Sequence, residues 1–266
     1  MAALARIQAC IGELKAWMTH HRLQLNDDKT EVLVITTPSS ASKHSLTDVV
    51  IGDSILQPTA VARNIGVMFD SELSMKSQVS KLCKVAYFHL HRIRSIRDCL
   101  TQHATELLVH SLVISRLDYG NGLLYGVPDQ LLDKLQRVQN VAARIVVRAS
   151  RYDHITSILE TLHWLPVQYR IEYKVLLMTF KALHLLAPSY IADLLQFYQP
   201  CRTLRSSSDS LLTVRSAHLR HYGDRAFCIA APRLWNSLPH EMRKCDSLYT
   251  FKRLLKTILF KRAYYS

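Results

Sequence analysis

The chain has 266 residues, 48% of them hydrophobic and 21% charged, with a formal net charge of +13 and a pI near 9.6. That apolar fraction over that length suffices for a sizeable buried core and excludes a disordered or low-complexity chain. No uninterrupted apolar run reaches the roughly 18 to 20 residues of a membrane span, and Arg6, Glu13 and Lys15 occur without a small-residue cleavage site. The expectation is therefore an intracellular protein, nuclear or cytoplasmic, with no membrane partner.

The first elements read as helix, strand, turn, strand. Leu4, Ile7, Ile11, Leu14 and Met18 recur at helical period, and Leu23 and Leu25 alternate as in a strand. Asn26-Asp27-Asp28-Lys29 follows as a polar turn, in which Asn and Asp tolerate the backbone and bond it locally. Val32 to Thr37 is then a β-branched strand. Some thirty residues on, Arg63-Asn64-Ile65-Gly66-Val67-Met68-Phe69-Asp70 places a glycine inside a strand pattern, the signal of a tight turn, a bulge or a close backbone approach.

These strings carry a resemblance. Leu25-Asn26-x-x-Lys29-Thr30-Glu31 is similar to the fourth motif block of the reverse transcriptases of LINE-type non-LTR retrotransposons. Ile65-Gly66-Val67 resembles the fifth block, the apolar-Gly-Val turn called the primer grip, with Asn-Ile where Tyr-Leu or Asn-Leu is more usual. The resemblance continues through SRLDYGNGLLYGVP (115 to 128), KLQRVQNVAARIV (134 to 146), LHWLPVQYRIEYKVL (162 to 176) and YGDRAFCIAAPRLWNSLP (222 to 239). It thus covers essentially the whole chain and points to the C-terminal half of such an RNA-directed DNA polymerase.

The resemblance implies a two-metal mechanism with Mg²⁺ for the parent family, its carboxylates supplied by an early Asp and an aromatic-x-Asp-Asp turn. This sequence contains no aromatic-x-Asp-Asp, and its only Asp-Asp pair, Asp27-Asp28, occupies the wildcard positions of the fourth block. The chain is expected to begin after the catalytic dyad and to be inactive alone, with no cofactor of its own. Lys29 descends, on the resemblance, from the lysine proposed to protonate the pyrophosphate leaving group; without the palm it is a vestigial general-acid candidate or a surface turn lysine.

The charge is uneven. Residues 1 to 73 are net −2, 74 to 151 net +7, 152 to 199 net −1 and 200 to 266 net +9. Basicity of this kind is the footprint of phosphate binding, and equally serves ordinary solubility. In the first basic block Met75, Val79, Leu82, Ala86, Leu90 and Ile93 predict one helix from 75 to 96, and Thr101 is the N-cap candidate of a second reaching Leu117. Residues 118 to 128 hold three of the seven glycines and form a loop, and a third helix opens at Pro128 or Asp129 and lasts to about Ala149.

On that third helix Leu131, Leu135, Val138, Ala142 and Ile145 share one arc, and Lys134, Arg137, Arg144 and Arg148 share the neighbouring one. One side packs, and the adjacent side is a positive stripe. The resemblance implies a thumb there, gripping RNA or an RNA:DNA duplex. Lys134, Arg137, Arg144, Arg148, Ile65 and Gly66 are accordingly the nucleic-acid-binding candidates, against the alternative of a solvated face.

Further on, helices are expected over 153 to 163 and 167 to 186, broken at Trp164-Leu165-Pro166 because Pro166 disfavours helical geometry in the residue before it. The face of Tyr169, Tyr173, Leu176, Leu177, Phe180 and Leu183 reads as core. A short helix follows Pro188, a polar connector spans 201 to 210, a strand is expected at 211 to 214, and helices at 224 to 235 and 247 to 260. Lys252, Arg253, Lys256 and Lys261 on the last face phosphates or water. The six cysteines lack the spacing of a zinc ribbon or a disulfide framework, and His218 and His221 have no cysteine partners at ligand spacing.

The fold expected is α+β, predominantly α: a palm remnant with a small sheet over 1 to 73, a helical thumb over 74 to 151 and a basic helical domain over 152 to 266. The activity expected is at most nucleic-acid backbone binding by a truncated transposable-element polymerase, with no small-molecule substrate. A helical protein-interaction module, or a remnant with incidental charge, is the alternative.

Overall fold

The computed structural model describes residues 2–26, 29–37, 49–51, 54–199, 210–217 and 220–265. The expected turn residues Asp27 and Asp28, His218 of the histidine pair and all but Ser210 of the polar connector lie outside them. The architecture is α+β and mostly helical, and it divides into two compact units, Met1–Ser80 and Lys81–Ser266. The second unit takes in the 81 to 151 and 152 to 266 segments together.

In the first unit, helix α1 (Ala2–His20) is followed by six short strands: β1 (Val32–Leu33), β2 (Val49–Ile51), β3 (Ser54–Leu56), β4 (Pro58–Thr59), β5 (Val61–Asn64) and β6 (Val67–Asp70). They form three two-stranded sheets, β1 parallel to β4 and the β2/β3 and β5/β6 pairs antiparallel.

The expected strand at Leu23 and Leu25 is not formed. Arg22 takes a left-handed φ of 59°, its N–H donates to the Thr19 carbonyl, and the Leu23 N–H donates to the Met18 carbonyl at 2.8 Å. This is a Schellman ending of α1, which commits Leu23's donor to the helix and leaves none for a ladder. The strand expected from Val32 to Thr37 is likewise cut to two residues, and its partner is β4 rather than a preceding hairpin strand.

Helix α2 (Lys76–Ser95) begins where Asp70 fixes the chain. The Asp70 carboxylate accepts from the Ser74 N–H at 2.7 Å, the Ser74 hydroxyl at 3.1 Å and the Met75 N–H at 2.9 Å. Helix α3 (Gln102–Val109) starts at Thr101, whose hydroxyl accepts from the Ala104 N–H, as the sequence predicts. It passes through a π turn at His110–Ile114 and ends in Ser115–Asp118.

The core of the second unit forms around α4 (Asp129–Val147) and α6 (Val167–Leu183), with α5 (Ile155–Thr161) between them in sequence. All five predicted seam residues of α4 are buried. At the predicted break, His163 turns left-handed and Trp164 donates to the Leu159 carbonyl, while α4 supplies the missing partners: Gln139 Nε2 donates to the Leu165 carbonyl, and the Val167 N–H donates to Gln136 Oε1.

Helices α7 (Phe227–Asn236) and α8 (Leu248–Tyr264) close the unit on α6. Phe180 stacks on Phe251 with ring centroids 4.3 Å apart, and Trp235 and Leu255 are fully buried beside them. Leu176 and Phe180 of the predicted α6 face are buried, with Tyr169, Tyr173 and Leu183 partly buried against the same core. The strand expected at 211 to 214 is reduced to one bridge from Leu212 to Phe197, held by Asn236, which bonds both the N–H and the carbonyl of Leu212.

Candidate nucleic-acid interface

Ile65 and Gly66 form the two-residue turn of the β5/β6 hairpin, with φ of 45° and 83°. Positive φ at both positions is what a type I′ turn requires, and Gly66 meets it without strain. Ile65 is β-branched and 81% exposed, so the turn holds an apolar side chain outward in a conformation that such residues rarely adopt.

Lys29 sits in a separate turn of the same unit. Its N–H donates to the Asn26 carbonyl and to Asn26 Oδ1, both at 3.2 Å, and the Thr30 hydroxyl donates to the Asn26 carbonyl at 3.0 Å. Asn26 organises the turn and leaves Lys29 exposed.

The four cations of α4 divide into two pairs. Lys134 and Arg137 are exposed on the N-terminal half and lie within electrostatic reach of α2. Burial pushes the Cys83 thiol up, and the nearby ammonium of Lys134 pulls the other way. Burial and Cys83 push the Tyr87 phenol up, with the Arg137 guanidinium opposing them.

Arg144 and Arg148 are engaged with the protein instead. Arg144 Nε donates to the Ser150 carbonyl at 3.1 Å and Nη2 to the Asp153 carbonyl at 3.3 Å. Arg148 caps α4 with a left-handed φ of 56°, donates to the Arg97 carbonyl and lies 3.6 Å from the Asp98 carboxylate. Both guanidiniums thus anchor the loops at the end of α4, and the exposed cations at the other end of the stripe are Lys134 and Arg137.

Arg97 has no signature in the sequence. It is buried, and its guanidinium donates to the carbonyls of Ile145 (2.8 Å), Val146 (2.8 Å) and Leu100 (2.7 Å). Ile145 and Val146 belong to the last turn of α4, where carbonyls lack helical partners and a cation complements the dipole.

Several polar residues of the four long strings bond within and between those strings. Asp118 and Arg170 form a bidentate ion pair, Gln136 and Gln139 hold the 165 to 167 break, Arg225 donates to the Tyr125 carbonyl, and Arg233 pairs with Asp224 at 2.8 Å. A cavity of about 420 Å³ is lined by Tyr125, Gly126, Glu172, Asp224, Arg225 and Arg233. Burial raises the Glu172 carboxyl above the ordinary range. Gly126, at φ 69°, admits no side chain there, since a Cβ would stand 2.7 Å from Arg225 Cγ.

Among the described residues no helix is long and apolar enough to cross a membrane, and no three His, Cys, Asp or Glu side chains converge as a metal site. No protein-family model, curated protein or solved structure matches the chain.

Proposed function

We propose that this chain is a piece of a LINE-type retrotransposon reverse transcriptase and that its retained activity is binding the phosphate backbone of RNA or an RNA:DNA duplex. The observation that carries the reading is the string Leu25-Asn26-x-x-Lys29-Thr30-Glu31 followed some thirty residues on by Ile65-Gly66-Val67. The turn geometry at both places suits the reading: Asn26 closes the first turn, and Gly66 supplies the left-handed position of the second.

In the second unit the reading rests on charge. Lys134 and Arg137 present a positive edge beside α2, and each phosphate they neutralise releases counterions. Polymerisation is outside the proposal, because the sequence has no aromatic-x-Asp-Asp to hold paired metal ions.

The test is affinity for a short RNA:DNA duplex over about 50 to 200 mM salt. A log–log slope steeper than about −2 is expected, becoming shallower by roughly 0.9 for each of Lys134→Gln and Arg137→Gln. A salt-independent affinity would exclude phosphate contacts. The identity itself is tested by the genomic reading frame upstream of Met1, which should continue into an aromatic-x-Asp-Asp turn.

A further inference from the structure

Helix α2 shows an unusual outer face. Its buried side is the expected seam, with Ala86, Leu90 and Ile93 at 2% exposure or less. At 100° per residue the opposite side collects Lys84, Tyr87, Phe88, His91 and Arg92, all exposed. Tyr87 is 42% and Phe88 56% exposed, and the Arg92 guanidinium lies 5.6 Å from the centre of the Phe88 ring. Two large aromatic side chains exposed on the outer side of one helix call for an occupant.

The charge around them identifies it. Lys84 and Arg92 flank the rings along α2, and on α4 the exposed Arg137 and Lys134 are near enough to act electrostatically on Tyr87 and Cys83 respectively. An apolar protein surface would be poorly matched to rings that share their helix face with Lys84 and Arg92 and lie near the exposed cations of α4. A chain that alternates flat π faces with anionic linkers fits both features at once, since base stacking on aromatic rings tolerates any sequence and the phosphates fall on the cations.

We propose that the α2 face is a stacking platform for single-stranded nucleic acid: Tyr87 and Phe88 take unpaired bases, and Lys84, Arg92, Lys134 and Arg137 take the phosphates between them. This rests on the backbone-binding reading above and deepens it, because stacking requires bases free of a partner strand whereas phosphate contacts do not.

The experiment compares the whole chain's affinity for a labelled single strand of about 12 nucleotides and for an RNA:DNA duplex of the same length, across the same salt range. Tyr87→Ala/Phe88→Ala is expected to weaken single-strand binding by about fivefold or more per ring, with the salt slope and the duplex affinity unchanged. Lys134→Gln/Arg137→Gln should instead flatten the single-strand slope by roughly 1.4, about 0.7 per contact. Phe88→Trp should retain affinity, and its indole emission should be quenched by the stacked base.

A loss under twofold in the double alanine variant, or an equal loss on duplex, overturns the platform while salt-dependent binding preserves the backbone reading. No binding to either ligand overturns both. A chain that sediments as a dimer and becomes monomeric with Tyr87→Ala/Phe88→Ala assigns the face to a second copy and likewise overturns the platform. Thermal melts of the variants matching the parent establish that the fold is kept, since both rings lie on the outside of α2.

Discussion

Arg97 places a permanent charge where only 8% of the residue meets solvent, and all three of its bonds go to carbonyl oxygens. Its planar fork can serve the end of α4 and the Leu100 carbonyl together, a geometry that a lysine's single ammonium does not reproduce. Arg97→Met would keep the stem's packing and leave the Ile145 and Val146 carbonyls without their donor. The expected cost is about 3 kcal/mol, from the loss of charge-assisted bonds to buried acceptors. Arg97→Lys should recover part of it. Urea unfolding checks both, as a lower midpoint with an unchanged m-value. Nothing in the sequence separates Arg97 from Arg92 and Arg94, which are exposed a turn earlier. Its role depends on a helix end 48 residues away, and no local pattern encodes that.

At the scale of the element, the bodies of the helices were legible, as were the Thr101 start and the break before Pro166, while several C-terminal ends were not. The buried seam of α4 follows from the spacing of Leu131, Leu135, Val138, Ala142 and Ile145, because burial repeats with the helical period. Where a helix ends in a left-handed residue just past its last turn, that residue is usually glycine. Here Arg22, Arg148, His163 and Leu185 occupy that position after α1, α4, α5 and α6, with φ of 53° to 59°. At α5 the stop was announced by Pro166 three residues on, but at Arg22, Arg148 and Leu185 it was written in residues that carry no stop signal, and the strand expected at Leu23 and Leu25 was one result. The same fact implies stored strain, since a side chain in this region costs roughly 1 to 2 kcal/mol relative to glycine. Leu185 gives the clearest test. It is 85% exposed, its N–H donates to the Ala182 carbonyl, and Leu186 closes the motif on the Lys181 carbonyl at 2.8 Å. Leu185→Gly should raise stability by about 0.5 to 1 kcal/mol, the relief of strain less the extra freedom of glycine in the unfolded chain. A higher melting temperature checks it; an unchanged or lower one would mean that the Leu185 side chain contributes packing its exposure does not reveal.

On the scale of the whole molecule, the two units are built to different standards. Among the described residues before Lys81, only Val67, Met75 and Val79 are buried apolar side chains, whereas Ile7, Leu14, Trp17, Ile35 and Ile55 are exposed. Its strands are two to four residues long and pair only in twos, and isolated two-stranded pairs are marginal in water. The unit from Lys81 onward has a continuous aromatic and aliphatic core and polar bonds joining segments as distant in sequence as Tyr125 and Arg225. The apolar residues of α1 were predicted correctly as helical, yet periodicity says only that a face exists, and not that anything covers it. Stability should therefore be unequal along the chain. Hydrogen exchange on the intact protein is expected to show amides of α1 and the β2/β3 pair exchanging through low-energy local openings, while those of α4, α6 and α8 exchange only with global unfolding. If α1 proved as protected as α4, Ile7, Leu14 and Trp17 would have to be covered in solution, and self-association through that face, read from concentration-dependent sedimentation, would be the explanation to pursue.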